Sequence, residues 1–388
     1  MDDAVTVCPQ CGTRVAADDR FCEECGADLP RVAPAAPGGQ SADDLAVATG
    51  AGTDAATGVE TGAETDAESE ATAPLAWGRR AVAPRTCHEC GGEIDPDGYC
   101  TQCGAKAPRP RDHLASRPAA WVAAVSDRGI RHDRNEDAAA VVAEPADRAA
   151  LVVCDGVSSA ADSDVASLEA ARAAAGVLAG SAGLATGSAL AAALGARIGA
   201  AAAAAASAVA AATSDGVDSP PSCTFVAAAV QLPVVVVGVV GDSRAYWLPD
   251  DDEPVLLTLD DSVAGQQIAA GRPRAEAEAG PQAHAITRWL GVDSPDEKPR
   301  LTTLEVDRAG WLVLCSDGLW NYCSEAAALR EQLRSAAAAV GEDPLDLASA
   351  LVDWANEQGG HDNITVVLAR LGADGTRPAG GPAEGAER

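Results

Sequence analysis

Paired cysteines are the first residues of this sequence whose spacing could do chemistry. Eight of the twelve cysteines form four C-x-x-C-G motifs, grouped as two modules in residues 1–30 and 85–106. Two thiolates on one turn can bind the same ion, and a second pair completes a tetrahedral site. The glycine after each pair permits the positive φ that such a turn often needs. The predicted ligands of two structural zinc ions are Cys8, Cys11, Cys22, Cys25, Cys87, Cys90, Cys100 and Cys103.

Disulfides and a redox motif are the alternatives for these cysteines. Modules this small have almost no apolar core, so metal binding would have to supply their folding free energy. The acidic N-terminal residues do not resemble an export signal, which disfavours disulfides. A redox C-x-x-C would normally follow a strand of a βαβ unit. Structural zinc is therefore the prediction, with iron as the alternative metal.

Aspartates at the ends of apolar runs are the second chemical feature. Asp155 follows LVVC, Asp317 follows WLVLCS, Asp242 follows VVVVGVVG, and Asp362 precedes NITVVLAR. The end of one antiparallel strand and the start of its neighbour share a sheet edge, so Asp155, Asp317 and Asp362 could converge. Clustered carboxylates need cations, and hard oxygen ligands favour Mg²⁺ or Mn²⁺. A single Asp-Gly pair can equally be an ordinary turn, and it is the set that predicts a metal site.

Apolar runs and alanine-rich stretches predict the elements that position these residues. We expect strands at about 121–126, 150–154, 223–231, 234–240, 243–248, 255–259, 311–315 and 363–370. We expect helices at about 165–180, 187–213, 262–270, 324–336 and 344–358. Strands clustered around two long helical segments indicate an α+β fold with mostly antiparallel sheets and helices outside.

Composition divides the 388 residues into regions. The predicted organisation is zinc ribbon 1 (1–30), a disordered acidic linker (31–84), zinc ribbon 2 (85–106), a linker (107–120), one long domain (121–371) and a disordered tail (372–388). The formal net charge of −30 argues against a protein that holds nucleic acid or anionic membrane by charge. Leu190 to Thr213 is long enough to span a membrane, but it is mostly alanine and contains Arg197, so we expect a helix of a soluble, cytoplasmic protein.

The long domain resembles the PP2C-type (PPM) metal-dependent Ser/Thr protein phosphatases, and it does so over essentially all of 121–371. The matching segments stand in the family's order: SDRGIRHDRNEDA (126–138), VVCDGVSS (152–159), SCTFVAAAV (222–230), GDSRAYWL (241–248), LTLDDSVAGQQIAAG (257–271), AITRWLG (285–291), LVLCSDGLW (312–320) and GGHDNITVVLAR (359–370). The cysteine modules look like the short zinc ribbons found beside bacterial and archaeal regulatory domains.

The resemblance implies an α-β-β-α sandwich that hydrolyses phosphoserine and phosphothreonine in proteins. A water bridging two Mn²⁺ or Mg²⁺ ions would attack phosphorus in line, and a bacterial Ser/Thr kinase would be the opposing partner. The alternative is a catalytically weak or inactive regulatory module of the same fold, whose ribbons dock protein partners. The remaining cysteines Cys154, Cys223, Cys315 and Cys323 would then be mostly core residues.

The resemblance also implies a role for individual positions. Asp155 matches the acid that bridges both metals, and the carbonyl of Gly156 matches a ligand of one of them. Asp317 and Asp362 match the acids of the second metal. Glu136 and Asp137 match the acidic pair of the N-E-D motif, which holds metal-bound waters or a metal. Asp242 matches the acid of a weaker third metal. Residues 262–287 match the flap over the site.

Three positions depart from the family pattern. His132 stands five residues before Asp137, where the family usually has a phosphate-binding arginine. Arg131 or Arg134 could substitute, His132 could bind when protonated, or the two arginines could form an ordinary solvated loop. The usual glycine-rich stretch after Asp155-Gly156 is Val157-Ser158-Ser159. His361 precedes Asp362 where an acid is common, and it is either a supporting or acid group or a surface histidine.

Overall fold

The computed structural model describes seven stretches with their side chains, together with the backbone of residues 6–7 and 14–15. The stretches are 86–87, 90–95, 97–144, 147–157, 162–214, 216–280 and 282–372. The predictions for the four cysteines of the first module (Cys8, Cys11, Cys22 and Cys25), for the acidic linker and for 373–388 lie outside the described residues.

Thirteen strands and seven helices are present in the described part of the chain. The strands are β1 (Thr6–Val7), β2 (Arg14–Val15), β3 (His113–Ala119), β4 (Val122–Asp127), β5 (Ala138–Ala143), β6 (Arg148–Cys154), β7 (Phe225–Gln231), β8 (Val234–Val240), β9 (Arg244–Pro249), β10 (Val255–Leu256), β11 (Arg300–Glu305), β12 (Gly310–Cys315) and β13 (Ile364–Leu371). The helices are α1 (Ser163–Leu178), α2 (Gly187–Ala212), α3 (Val263–Ala269), α4 (Arg274–Glu278), α5 (Asp317–Trp320), α6 (Ala326–Val340) and α7 (Pro344–Glu357).

Two antiparallel sheets carry the long domain. One has six strands in the order β10-β9-β12-β13-β4-β3, and the other has five in the order β11-β8-β7-β6-β5. Every pairing within them is antiparallel. The β1–β2 pair forms a separate two-stranded sheet.

Side-chain alternation along the strands produces the four layers. In β6, Leu151 and Val153 point into the core between the two sheets, while Val152 and Cys154 point into a core covered by α1 and α2. On the other side, the outer face of the six-stranded sheet packs with α5, α6 and α7. Because strand residues alternate between faces, both faces of these apolar strands are buried. The predicted α-β-β-α sandwich is confirmed.

Helix α2 is the only helix of the described residues long and apolar enough, by length and composition, to cross a membrane. In the fold it packs as a core helix against α1 and β8. Leu194 and Ile198 are buried on its inner face. A Cβ at Gly238 of β8 would lie 2.3 Å from Ile198 Cγ2, so the glycine allows helix and sheet to approach closely.

The structure corrects the prediction of a linker at 107–120. Strand β3 lies within those residues and forms an edge of the six-stranded sheet, paired with β4. Arg111 just before it is buried and forms an ion pair with Asp164 of α1 (3.6 Å). The prediction missed β3 because its sequence HLASRPA alternates between partly and fully exposed residues and has no apolar run. Strands β5 and β11 and helices α4 and α5 were also missed, and the strand expected at 255–259 ends at Leu256.

Candidate active site

The acidic residues gather at one end of the sandwich, and the strand register explains why. Cys154 at the end of β6 pairs with Ala138 at the start of β5. In the other sheet, Cys315 at the end of β12 pairs with Arg244 at the start of β9. Ser316 Oγ, just after β12, donates to Asp137 Oδ2, just before β5 (2.7 Å), so the connections at these strand ends leave both sheets at the same end. They carry the predicted acids Glu136, Asp137, Asp155, Asp242, Asp317 and Asp362.

Asp155 lies at the centre of this group. Its N–H donates to Thr224 Oγ1 (3.0 Å) and its carbonyl accepts from the N–H of Thr224 (2.8 Å), which fixes the backbone. Burial raises the pKa of Asp155 well above its usual value, and the charges of Asp137, Asp317, Asp362 and Asp242 raise it further. The carboxylate is thus surrounded by like charges, which is unfavourable without a cation.

The N–H of Gly156 faces the loop that carries Glu136. The N–H of Gly156 donates to the carbonyl of Glu136 (3.2 Å). A Cβ at this position would lie 2.6 Å from that carbonyl oxygen and 2.8 Å from the carbonyl oxygen of Ser163. Glycine is therefore required for the close approach of the two backbones.

Asp317 and Asp362 come from neighbouring connections of the six-stranded sheet. Asp317 is the first residue of α5. Burial raises the pKa of Asp317 well above its usual range, and the charges of Asp362 and Asp242 raise it further. A Cβ at Gly318 would lie 2.0 Å from the carbonyl oxygen of Asn363, so these connections are in direct contact.

Asp137 and Asp242 are both buried. Burial raises the pKa of Asp137 to about 7, although Ser316 Oγ donates a hydrogen bond to its Oδ2 (2.7 Å). Burial also raises the pKa of Asp242 to about 7, with a further contribution from the charge of Asp260. Both carboxyls are accordingly poised to lose a proton when a cation approaches.

Glu136 is held by several donors. Its Oε1 accepts from Arg134 Nε (3.0 Å), Arg134 Nη2 (2.7 Å) and Ser163 Oγ (2.6 Å). Its N–H donates to Asn363 Oδ1 (2.7 Å). Glu136 is therefore a charge-paired carboxylate tied to the Asp362 connection, in contrast to Asp155 among like charges.

The three residues predicted to bind phosphate have different environments. Arg134 is paired with Glu136 and also reaches Asp164 (3.5 Å). His132 Nε2 lies 3.1 Å from Asp362 Oδ1. Arg131 is exposed, and its guanidinium has no side-chain partner among the described residues. Its backbone N–H donates to the carbonyl of Gly360 (3.2 Å), which fixes it beside the acids.

Four supporting residues were not predicted individually, although the segments of three of them were. Asn363 is the most connected: its Nδ2 donates to the carbonyls of Arg128 (2.7 Å) and Arg134 (3.1 Å). With its bond to Glu136, it joins the N-E-D loop to the start of β13. Thr224, Ser316 and Ser163 similarly bond to acid-bearing segments. An adjacent aspartate was the available signal for Asn363, Ser316 and Ser163, whereas Thr224 has no acidic neighbour in the sequence.

A buried arginine links the flap to this end of the sandwich. Arg244 Nη2 contacts Asp260 (2.6 Å) and Glu278 of α4 (2.9 Å), and its Nη1 donates to Ser324 Oγ (2.8 Å). Its guanidinium lies 3.6 Å from the ring centroid of Trp320. The flap helix is thus tied to β9 and to the turn after α5.

The donor atoms fit two kinds of ion. The acids offer hard oxygen atoms, which suit Mn²⁺ or Mg²⁺. The second cysteine module offers four thiols whose sulfur atoms all lie within 4.8 Å of one another: Cys87, Cys90, Cys100 and Cys103. Within the described stretches no three carboxylates are grouped so tightly. Glycines at φ +73° and +74° follow Cys90 and Cys103, as the motif predicted.

Comparisons with known proteins agree with this fold. Residues 129–356 match the family described as Protein phosphatase 2C, and residues 8–104 match the family described as Double zinc ribbon. The serine/threonine phosphatase stp of Listeria innocua is 34% identical over 146 residues, 37% of this chain and 55% of that protein. Protein phosphatase PhpP of Streptococcus pneumoniae is 36% identical over 134 residues, 34% of this chain and 51% of that protein. The chain thus spans about half the length of the curated relatives it matches.

A solved structure is similar over a longer range. The crystal structure of the Mycobacterium tuberculosis serine/threonine phosphatase PstP/Ppp superposes with a TM-score of 0.54 and 31% sequence identity. The match covers 65% of this chain and 98% of that structure. The family match covers more than half of the chain and agrees with the layered sheets and with the acids at their common end. The chain therefore belongs to the protein phosphatase 2C family.

Proposed function

We propose that this chain is a metal-dependent phosphatase that hydrolyses phosphoserine and phosphothreonine in proteins. The observation that carries the proposal is the gathering of six acids from both sheets at one end of a protein phosphatase 2C fold. Burial and like charges raise the pKa values of four of them: Asp137, Asp155, Asp242 and Asp317. An arrangement this unfavourable is typical of a cation-binding functional site.

The acids would hold the metals in a division of labour. We expect Asp155 and the carbonyl of Gly156 to bind one ion, and Asp155 with Asp317 and Asp362 to bind a second. Asp137 would assist, and Asp242 would contribute to a third ion. When bound, two Mn²⁺ or Mg²⁺ ions would neutralise the acids, bind phosphoryl oxygens and acidify a water for in-line attack on phosphorus.

The residues of the chain itself position the substrate and the acids. Arg131, exposed and unpaired among the described side chains, is available to bind the phosphoryl group as a guanidinium fork. Arg134 is already paired with Glu136, and His132 orients the Asp362 carboxylate instead of binding phosphate. Asn363 keeps the two loops in register through its three amide contacts.

The proposed reaction also implies protein substrates, a partner enzyme and structural zinc ions. Phosphoproteins would be the substrates, and a Ser/Thr kinase would produce them. Each ribbon would bind one zinc, and the thiol cluster at Cys87, Cys90, Cys100 and Cys103 supports this for the second ribbon. A catalytically inactive module is not favoured, because every acid that matches the family stands at the same end of the sandwich.

The test is hydrolysis of a phosphothreonine peptide and of p-nitrophenyl phosphate with Mn²⁺. Asp155→Asn should lower kcat more than about 100-fold, because it removes the carboxylate shared by both proposed ions. Asp251→Asn, which changes an exposed turn residue outside the site, is the matched control and should leave kcat unchanged. Full activity in Asp155→Asn, or in the presence of excess EDTA, would refute the metal-dependent reaction.

A further inference from the structure

We propose that an apolar patch beside Asp362 binds an apolar side chain of the phosphoprotein substrate, close to the phosphorylated residue. The patch, here called the Ile130 patch, consists of Ile130, Tyr322 and His361 with the backbone of Gly359 and Gly360. This inference rests on the proposed phosphatase function and specifies the substrates that the same site accepts.

The two glycines let the side chains of the patch lie directly on the loop. A Cβ at Gly360 would stand 2.7 Å from Ile130 Cγ1, and one at Gly359 would stand 2.9 Å from the ring of His361 and 3.6 Å from Tyr322 Oη. Both glycines have positive φ, +139° and +50°. A larger residue at either position would push Ile130 or His361 away.

Ile130 is held in place although its side chain is 62% exposed. Its N–H donates to the carbonyl of Gly360 (3.0 Å), and the neighbouring N–H of Gly129 donates to Asp127 Oδ1 (2.8 Å). Arg128 Nη1 donates to the carbonyl of His132 (2.7 Å), which closes the loop on its other side. A large apolar side chain on so well-anchored a loop can be covered by a ligand with little loss of backbone entropy.

The aromatic side of the patch is anchored as well. Tyr322 Oη accepts a hydrogen bond from the N–H of His361 (3.2 Å). Its ring meets Trp354 edge-on, with 6.2 Å between centroids, and lies 6.4 Å from the ring of His361. The patch therefore combines an aliphatic side chain and two rings on a preformed surface. Such a surface suits an aliphatic or aromatic partner better than a charged one.

Continuity with the candidate active site identifies the occupant. Asp362 is two residues after Gly360, and a Cβ at Gly129 would lie 2.2 Å from the carbonyl oxygen of Asp362. Arg131, the proposed phosphate-binding residue, directly follows Ile130. A phosphopeptide with its phosphate at the acids would thus pass over the patch within a few residues of the phosphorylated position, since neighbouring residues are about 3.8 Å apart.

Position-scanned phosphothreonine peptides test the inference in the full chain with Mn²⁺. Each peptide carries one leucine, at a position from three before to three after the phosphothreonine, in a serine-rich background. We expect one or two positions to raise kcat/KM at least five-fold over the leucine-free peptide, equivalent to about 1 kcal/mol. Ile130→Ser should remove this preference through KM, while hydrolysis of p-nitrophenyl phosphate and of the leucine-free peptide stays within about two-fold.

Val292→Ser, which changes another exposed apolar residue (56% exposed), is the matched control and should keep the preference. The inference is overturned if no leucine position is preferred, or if the preference survives in Ile130→Ser. It is also overturned if Ile130→Ser abolishes a concentration-dependent dimer in sedimentation, since the patch would then contact a second copy. Absence of any p-nitrophenyl phosphate hydrolysis would instead contradict the proposed function, so the two failures are distinguishable.

Discussion

Replacing Asp242 with asparagine should stabilise the metal-free protein. The carboxyl of Asp242 is 4% exposed and lies near other acids, and burial is the main cause that raises its pKa from 3.8 to about 7. At neutral pH without a cation, its ionised form is therefore disfavoured in the folded state. Asparagine has a similar shape and carries no charge, so Asp242→Asn removes that penalty.

The size of the expected stabilisation follows from the shift in the pKa of Asp242. Between about pH 4 and pH 7 the folded protein keeps a proton that the unfolded chain has lost, so the stability falls as the pH rises through this window. A shift of about three units corresponds to a penalty of roughly 4 kcal/mol above pH 7. Burying the asparagine amide without good partners offsets about 1–3 kcal/mol of the gain. We expect a net gain of about 1–3 kcal/mol at pH 8 that is gone by about pH 5.

Urea unfolding at pH 8 and pH 5, without added metal, measures this difference. Tryptophan fluorescence reports on the sandwich, since Trp121, Trp247 and Trp311 are buried in it. Asp218→Asn, an exposed loop substitution, is the control and should change the stability by less than about 0.5 kcal/mol. If Asp242→Asn is no more stable than the parent at pH 8, or if its gain is the same at both pH values, the ionised Asp242 carboxylate carries no burial penalty.

Two further predictions concern the flap and the ribbon. Glu278→Gln removes the charge that Arg244, Arg274 and Ser324 share at Oε1 (2.8–2.9 Å), so it should lower the free energy of unfolding by about 1–3 kcal/mol in urea. The control is Glu276→Gln on the same helix. The Glu276 side chain is 66% exposed, so this substitution should leave the free energy of unfolding almost unchanged. Equal losses of stability in the two variants would contradict the anchoring role of Arg244. Cys87→Ser should remove about one zinc per chain, measured by elemental analysis; unchanged zinc content would contradict the assignment of the second ribbon.

The long apolar runs allowed most of the fold to be predicted. The strand expected at 234–240 has those bounds in the structure, because its valines face apolar layers on both sides. The elements that were missed have weak apolar patterns. Strand β5 is rich in alanine, while β3 and β11 are exposed edge strands without an apolar run. The partner of β11 is β8, which is distant in sequence.

The sequence was sufficient to identify the acids of the site, but not to predict which residues they contact. Strand ends predicted Asp155, Asp317 and Asp362 at one sheet edge. In the structure Asp317 and Asp362 lie at the edge of the six-stranded sheet and Asp155 at that of the five-stranded sheet, so the packing of the two sheets brings them together. The contact between Asn363 and Glu136 joins residues 227 positions apart, so no local pattern indicates it. The contact of His132 Nε2 with Asp362 Oδ1 is likewise a result of folding, and it supports a positioning role beside the phosphate-binding role that the sequence suggested.

Manganese binding measured by electron paramagnetic resonance tests whether the six acids hold two metal ions. The zinc-saturated protein, freed of other divalent ions, is titrated with Mn²⁺ while the signal of free Mn²⁺ is recorded. We expect at least two bound Mn²⁺ per chain, and loss of both in Asp155→Asn, since that carboxylate is shared between the proposed ions. Asp251→Asn should bind as the parent does. Unchanged Mn²⁺ binding in Asp155→Asn, or no binding in the parent protein, would show that these acids do not form the proposed two-metal site.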